Sequence, residues 1–101
     1  MNTLLILYPR EFLSQTKFDR KVSNITSRMG EYRIVYYSDQ NYLIASYCKA
    51  HSVQIVQMEK EIYENRDLTH VIIFDDGEEF VDERTNFEAL KIPLRVVRIS
   101  I

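Results

Sequence analysis

The sequence has few of the residues that long loops, disulfides and membrane spans require. Its 101 residues include two glycines, two prolines and one cysteine, so short loops are expected and no disulfide can form within the chain. The longest apolar runs have about six residues, too few to cross a bilayer. The N-terminus also lacks the pattern of a signal peptide. These absences predict a cytoplasmic protein in which Cys48 is a buried thiol.

The sequence also lacks a large excess of positive or negative charge. Lysine and arginine number 13 against 15 acidic residues, a net charge of −2, and the basic residues are scattered along the chain. Because a nucleic-acid backbone or an anionic membrane attracts a concentrated positive surface, neither is expected as a partner. Apolar residues make up 46%, which is enough for the core of one domain over residues 1–101.

What the chain does contain is an alternation of strand and helix patterns. Apolar strand patterns cover residues 3–8, 32–37, 53–58, 69–74 and 94–99. Helical patterns follow potential caps at Ser14, Asn41 and Asp82, and a short charged segment at 59–65 is also predicted to be helical. Gly30 is well placed to end the first helix. The order predicts an α/β fold, a Rossmann-like three-layer α/β/α domain with about five mainly parallel strands.

Candidate binding residues follow three of these strands. Ligands of parallel α/β sheets bind beyond the carboxyl ends of the strands, so residues at those ends are expected to share one site. They offer aromatic rings for stacking, an arginine for an anionic group, and polar or acidic hydrogen-bonding groups. The predicted ligand-binding residues are Tyr8, Arg10, Tyr37, Ser38, Asp39, Asn41, Asp75 and Asp76.

Several short motifs follow one another along the chain in a recognisable order. The first strand leads into Arg10-Glu11-Phe12, and the fourth ends in Asp75-Asp76-Gly77. With the segments at 47–53, 64–67 and 90–97, this order resembles the SLOG superfamily, in particular its YspA-like branch. There the first strand leads into Gly-Ser-Arg-x-Phe and the fourth ends in Trp-Asp-Gly, so that Asp75 replaces the tryptophan. The resemblance implies a Rossmann-like fold and a nucleotide or nucleotide-derived ligand.

The sequence departs from that family at its phosphate loop. Tyr37-Ser38-Asp39-Gln40 stands where the branch has a glycine-rich loop, which makes this a degenerate, minimal member. Glycine lets backbone N–H groups approach a phosphate closely, whereas tyrosine adds bulk and aspartate adds a like charge. A conventional phosphate cradle is therefore not expected. The sequence leaves open whether the pocket is modified or filled.

Catalytic, metal and cofactor sites are not predicted. The hydrolase signature Pro-Gly-Gly-x-Gly-Thr of the superfamily is missing. The carboxylates of residues 75, 76, 78 and 79 are neighbours on one turn, where they rarely converge on a cation. Neither His51 nor His70 has a serine or cysteine nucleophile at a recognisable spacing, so a catalytic triad is not expected.

Three functions remain open at this point. The leading one is a non-catalytic binding protein for a nucleotide or nucleotide-derived small molecule, acting as a sensor, a sequestering protein or a phage-type accessory protein. The alternative is an interaction protein with a dead pocket that binds another protein or itself, since SLOG relatives commonly form homodimers. A residual nucleotide or glycoside hydrolase is the third.

Overall fold

The computed structural model describes residues 1–12, 14–36, 41–58, 67–89 and 95–100. Within these ranges strands and helices alternate as the sequence predicts. The strands are β1 (Asn2–Leu7), β2 (Tyr32–Tyr36), β3 (Ile55–Gln57), β4 (His70–Asp75) and β5 (Arg95–Ser100). The helices are α1 (Gln15–Thr26), α2 (Tyr42–His51) and α3 (Val81–Ala89). The predicted helical segment at 59–65 lies outside the described residues.

The strands form one parallel sheet in the order β3-β2-β1-β4-β5. The chain steps outward from β1 to β2 and β3, and then crosses to the other side of β1 for β4 and β5. The order therefore reverses between β1 and β4, which pair in register from Leu4–His70 to Leu7–Ile73. In such a doubly wound sheet, a crevice forms at the carboxyl edge where the order reverses. The predicted Rossmann-like α/β fold is confirmed.

Two hydrophobic cores lie on opposite faces of the sheet because side chains alternate along each strand. On β1, Leu4 and Ile6 pack into the core that includes Phe18 of α1 and Tyr47 of α2. Leu5 and Leu7 face the other core, to which α3 contributes Phe87. Helices thus cover both faces, which explains why the central strands β1 and β4 are continuous apolar runs. None of the helices described is long and apolar enough to cross a membrane.

The first two helices begin where the sequence predicts. Ser14 precedes α1, and its Oγ accepts a hydrogen bond from the Lys17 N–H at 3.2 Å. Asn41 precedes α2, but its side chain makes no capping bond. The α1 helix ends at Thr26, earlier than the predicted stop at Gly30. There the Thr26 hydroxyl donates to the Val22 carbonyl at 2.9 Å, inside the helix's last turn.

The prediction that Asp82 caps the third helix is wrong. The α3 helix already begins at Val81, and the Phe80 carbonyl accepts its first backbone bond, from Arg84 at 3.0 Å. Asp76 turns the chain earlier, because its carboxylate accepts bonds from the Glu78 and Glu79 N–H groups. Asp82 is left in the first helical turn, where its charge favours the positive end of the helix dipole.

The third strand is shorter than the predicted segment 53–58. After α2, Ser52 adopts a left-handed conformation with φ 55°, and the Val53 N–H donates to the Cys48 carbonyl at 2.9 Å. These contacts close the helix and delay the chain's entry into the sheet until Ile55.

Candidate functional site

The sheet brings the described members of the predicted site to its carboxyl edge. Arg10 follows β1 and Asp76 follows β4, the two strands that flank the reversal of strand order. Asn41 follows β2, on the other side of β1. Three predicted members, Tyr37, Ser38 and Asp39, lie outside the described residues.

The turn after β1 is held rigidly and presents a charged tip. The Phe12 N–H donates to the Pro9 carbonyl at 3.0 Å, which closes a four-residue turn. Pro9 is buried, and the Phe12 ring stacks on Phe74 of β4 with a centroid distance of 5.1 Å. Between these two anchors, Arg10 and Glu11 are exposed. Within the described residues, no acidic side chain forms an ion pair with Arg10.

Tyr8 belongs to the core. It is 5% exposed, and its ring lies edge-to-face against Phe18 at 5.4 Å and against Tyr42 at 5.8 Å. Its hydroxyl oxygen accepts a hydrogen bond from the Leu43 N–H at 3.2 Å, in the first turn of α2. Burial raises the pKa of Tyr8 to about 12. The hydroxyl therefore stays neutral and satisfies an amide at a helix end where phosphates bind in many α/β proteins.

Tyr42 lies at the same edge, although it is not among the predicted ligand-binding residues. It is the first residue of α2, and 42% of its side chain is exposed. Its hydroxyl donates to the Phe12 carbonyl at 3.0 Å, so α2 is tied to the same turn that carries Arg10. The 30-residue separation of these partners leaves no local signal in the sequence.

Asp75 is buried and fully engaged. Its Oδ1 accepts the Gly77 N–H at 2.7 Å, and its Oδ2 meets Arg84 of α3 at 3.0 Å and Arg98 of β5 at 2.5 Å. The Gly77 N–H, Arg98 and Arg84 together hold its pKa below the usual value, although burial opposes them. The carboxylate therefore ties β4, β5 and α3 together.

Asp76, the next residue, is exposed and shapes the turn. Its Oδ1 accepts both the Glu78 and the Glu79 N–H at 2.9 Å, and these bonds lower its pKa. The Asp76 residue as a whole is exposed, so a ligand can reach it. Gly77 adopts a φ of 88°, a conformation that glycine reaches without strain and other residues rarely adopt.

The remaining reactive groups lie elsewhere. Cys48 is buried as predicted, and burial raises its pKa to about 11, so the thiol is not activated. His51 ends α2 with its Nε2 3.5 Å from the Ser23 Oγ, a contact at the limit of hydrogen bonding. His70 begins β4 at the amino edge of the sheet. Its pKa is lowered, mainly by burial and to a smaller extent by the positive charge of Arg95. No cluster of three potential metal ligands occurs among the residues described.

The fold is a doubly wound, Rossmann-like α/β domain, and the candidate site lies at the carboxyl edge where the strand order reverses between β1 and β4. A family model described as the minimal SLOG domain matches residues 1–101. The chain therefore belongs to the minimal SLOG domain family, which confirms the resemblance to the SLOG superfamily. No curated protein and no solved structure shows significant similarity to the chain.

Proposed function

We propose that the protein is a non-catalytic binding protein for a nucleotide or a nucleotide-derived small molecule. One observation carries the proposal: strand order reverses between β1 and β4, and an exposed arginine follows one strand while an exposed aspartate follows the other. This is the position at which doubly wound sheets bind their ligands. Membership of the minimal SLOG family supports the ligand class.

The exposed groups at this edge suit the two polar parts of a nucleotide. The Arg10 guanidinium can bind a phosphate with two parallel hydrogen bonds. The exposed Asp76 carboxylate can accept a hydrogen bond from a ribose hydroxyl, a contact that an acidic residue makes in many dinucleotide-binding domains. The hydrogen-bonded turn at Pro9–Phe12 fixes the backbone that carries Arg10, which reduces the backbone entropy lost on binding.

The two aspartates favour binding over acid catalysis. A general acid that works near neutral pH needs a raised pKa, but the pKa values of Asp75 and Asp76 are both lowered. Asp75 is also committed to Arg84 and Arg98. A residual hydrolase therefore finds no support in these carboxylates.

A thermal-shift panel tests the proposal. A ligand that binds only the folded state raises the melting temperature, by an amount set by its concentration relative to Kd. We expect one or more nucleoside mono- or diphosphates to raise the melting temperature of the wild-type protein, and Arg10→Ala to lose that shift. Glu11→Gln, on the same turn, is the matched control and should keep it. A panel without any shift would rule out the proposal.

The open edge at β5 favours a second candidate, a homo-oligomeric interaction protein. No described strand pairs with the far side of β5. The Arg95 N–H donates to Thr69 beside β4, so in a parallel ladder the N–H and C=O groups of Val96, Arg98 and Ser100 point outward. Such a row of unpaired groups is a template for another strand.

Sedimentation over a range of concentrations tests this second candidate. Self-association through β5 predicts a concentration-dependent oligomer that Val96→Pro abolishes, because proline removes an outward N–H that the sheet itself does not use. A wild-type protein that stays monomeric at all concentrations contradicts it. A Val96→Pro variant that is folded and still oligomeric shows that another surface is responsible.

A further inference from the structure

Tyr42 presents a fixed aromatic surface at the proposed binding edge. Its ring is held at one end by the hydroxyl's bond to the Phe12 carbonyl and on one side by edge-to-face contact with Tyr8. Much of the side chain is nevertheless open to solvent, at 42% exposure. An exposed ring that is already immobilised loses little conformational entropy when a planar group stacks on it.

The neighbouring helix end is closed to a phosphate. The buried Tyr8 hydroxyl accepts the Leu43 N–H at 3.2 Å, in the first turn of α2 where phosphates bind in related architectures. An anion at that position has to displace a core side chain. Arg10 is an exposed cation at this edge. It lies in the turn whose Phe12 carbonyl also accepts the Tyr42 hydroxyl bond.

We infer that the ligand stacks its base on Tyr42 and places its anionic group at Arg10, while the Tyr8 hydroxyl fills the helix-end phosphate position. This inference rests on the proposed function and specifies its ligand class: the ligand must carry both a base and an anionic group. The Pro9–Phe12 turn carries Arg10 and accepts the Tyr42 hydroxyl bond at the Phe12 carbonyl, so it links the two recognition groups. Because stacking depends on ring area, purines are favoured over pyrimidines.

Titration calorimetry with matched variants tests the inference. The proteins are wild type, Tyr42→Leu and Tyr42→Phe, and the probes are the four common ribonucleoside monophosphates and ribose 5-phosphate. Loss of one base–aromatic stack weakens binding by roughly 5- to 150-fold. We expect Tyr42→Leu to lose nucleotide affinity within that range. Tyr42→Phe, which keeps the ring and loses the hydroxyl, should stay within about threefold of wild type.

Ribose 5-phosphate separates the base contact from the phosphate contact. Having no base, it should bind more weakly than the nucleotides, and Tyr42→Leu should bind it as wild type does. Equal nucleotide affinity in Tyr42→Leu and wild type overturns the inference but leaves the proposed function standing. An equal loss of nucleotide affinity in Tyr42→Leu and Tyr42→Phe also overturns it. The hydroxyl's bond to the Phe12 carbonyl, and not the ring, would then be the group that matters. Failure of wild type to bind any nucleotide defeats the proposed function itself.

Discussion

The carboxyl ends of β1 and β4 lie side by side, yet they use their charged residues in opposite ways. At the end of β4, Asp75 is buried against two arginines, and the next residue, Asp76, accepts two backbone N–H groups of its own turn. After β1, buried Pro9 and Phe12 anchor a turn whose charged tip, Arg10, contacts no acidic side chain among the described residues. The charge of Asp75 is therefore used within the fold, whereas the charge of Arg10 is exposed to solvent.

The difference separates structural from ligand-binding roles. A charged group that the fold already satisfies contributes to stability, and its removal leaves partners without hydrogen bonds. A charged group that the fold does not need can be retained for a ligand without a stability cost. By this criterion Asp75 is structural, whereas Arg10 is the better ligand contact. The buried Tyr8 hydroxyl is structural for a similar reason, because it satisfies the Leu43 N–H. Four predictions, ordered by expected effect on stability, test this comparison.

The largest loss is expected for Asp75→Asn. The change removes the charge that Arg84 and Arg98 share, and it should lower the free energy of unfolding by about 1.5–3 kcal/mol. Urea denaturation measures the loss. The folded-state pKa of Asp75 is depressed, so its contribution is present above pH 3.8 and is lost as the pH falls further. The variant should therefore lose less stability than wild type below about pH 4. Equal stability of variant and wild type contradicts the structural role.

Tyr8→Phe should cause the next largest loss. It leaves the buried Leu43 N–H without its acceptor, which costs about 1–2 kcal/mol. Tyr32→Phe is the matched control, since its hydroxyl meets the Tyr47 hydroxyl at 2.9 Å in a less buried place. A loss that is no greater for Tyr8→Phe than for Tyr32→Phe counts against the hydroxyl as the helix-end substitute for phosphate.

Alkaline pH should destabilise the protein gradually. Burial raises the pKa of Tyr8 and of Tyr32 from 10.0 to about 12, and that of Cys48 from 9.0 to about 11. Between those limits the folded state binds more protons than the unfolded state, so stability falls as the pH rises. Urea midpoints at pH 8 to 12 measure the slope. Cys48→Ala should reduce the loss of stability mainly at the lower end of this pH range, and Tyr8→Phe mainly at its upper end. An unchanged pH dependence in both variants would contradict these assignments.

The smallest effect on stability is expected for Arg10→Ala. Because Arg10 is exposed and forms no ion pair within the described ranges, the free energy of unfolding should change by no more than about 0.5 kcal/mol. Asp76→Asn should lie between this variant and Asp75→Asn, since the Asn side chain can still accept from the turn. If Arg10→Ala proves as destabilising as Asp75→Asn, the distinction between the two strand ends is wrong.

The sequence was sufficient for the fold because the central strands β1 and β4 are apolar on both faces. The run from Thr3 to Tyr8 favours a strand covered by helices on each side, and alternation with helical patterns then favours parallel pairing. The position of Arg10 followed directly from the end of that run. Element boundaries were less accurate where a side chain bonds the backbone, as Asp76 does ahead of α3.

The roles of individual site residues could not be read from the sequence. Asp75 and Asp76 are adjacent and identical, but alternation along β4 turns the first toward Arg84 and leaves the second exposed. Tyr8 reaches an amide 35 residues away, and Tyr42 reaches a carbonyl 30 residues away. Contacts between residues so far apart in the sequence depend on how the helices pack against the sheet. No local sequence pattern specifies that packing.

An amide chemical-shift titration tests the central claim most directly. Isotope-labelled protein is titrated with the nucleotide that gives the largest thermal shift, and the perturbed amides are mapped on the fold. The account predicts the largest changes at Arg10, Glu11, Tyr42 and Gly77, all at the carboxyl edge beside the reversal between β1 and β4. Changes centred on the amino edge, around Tyr32, Gln54 and His70, would contradict it.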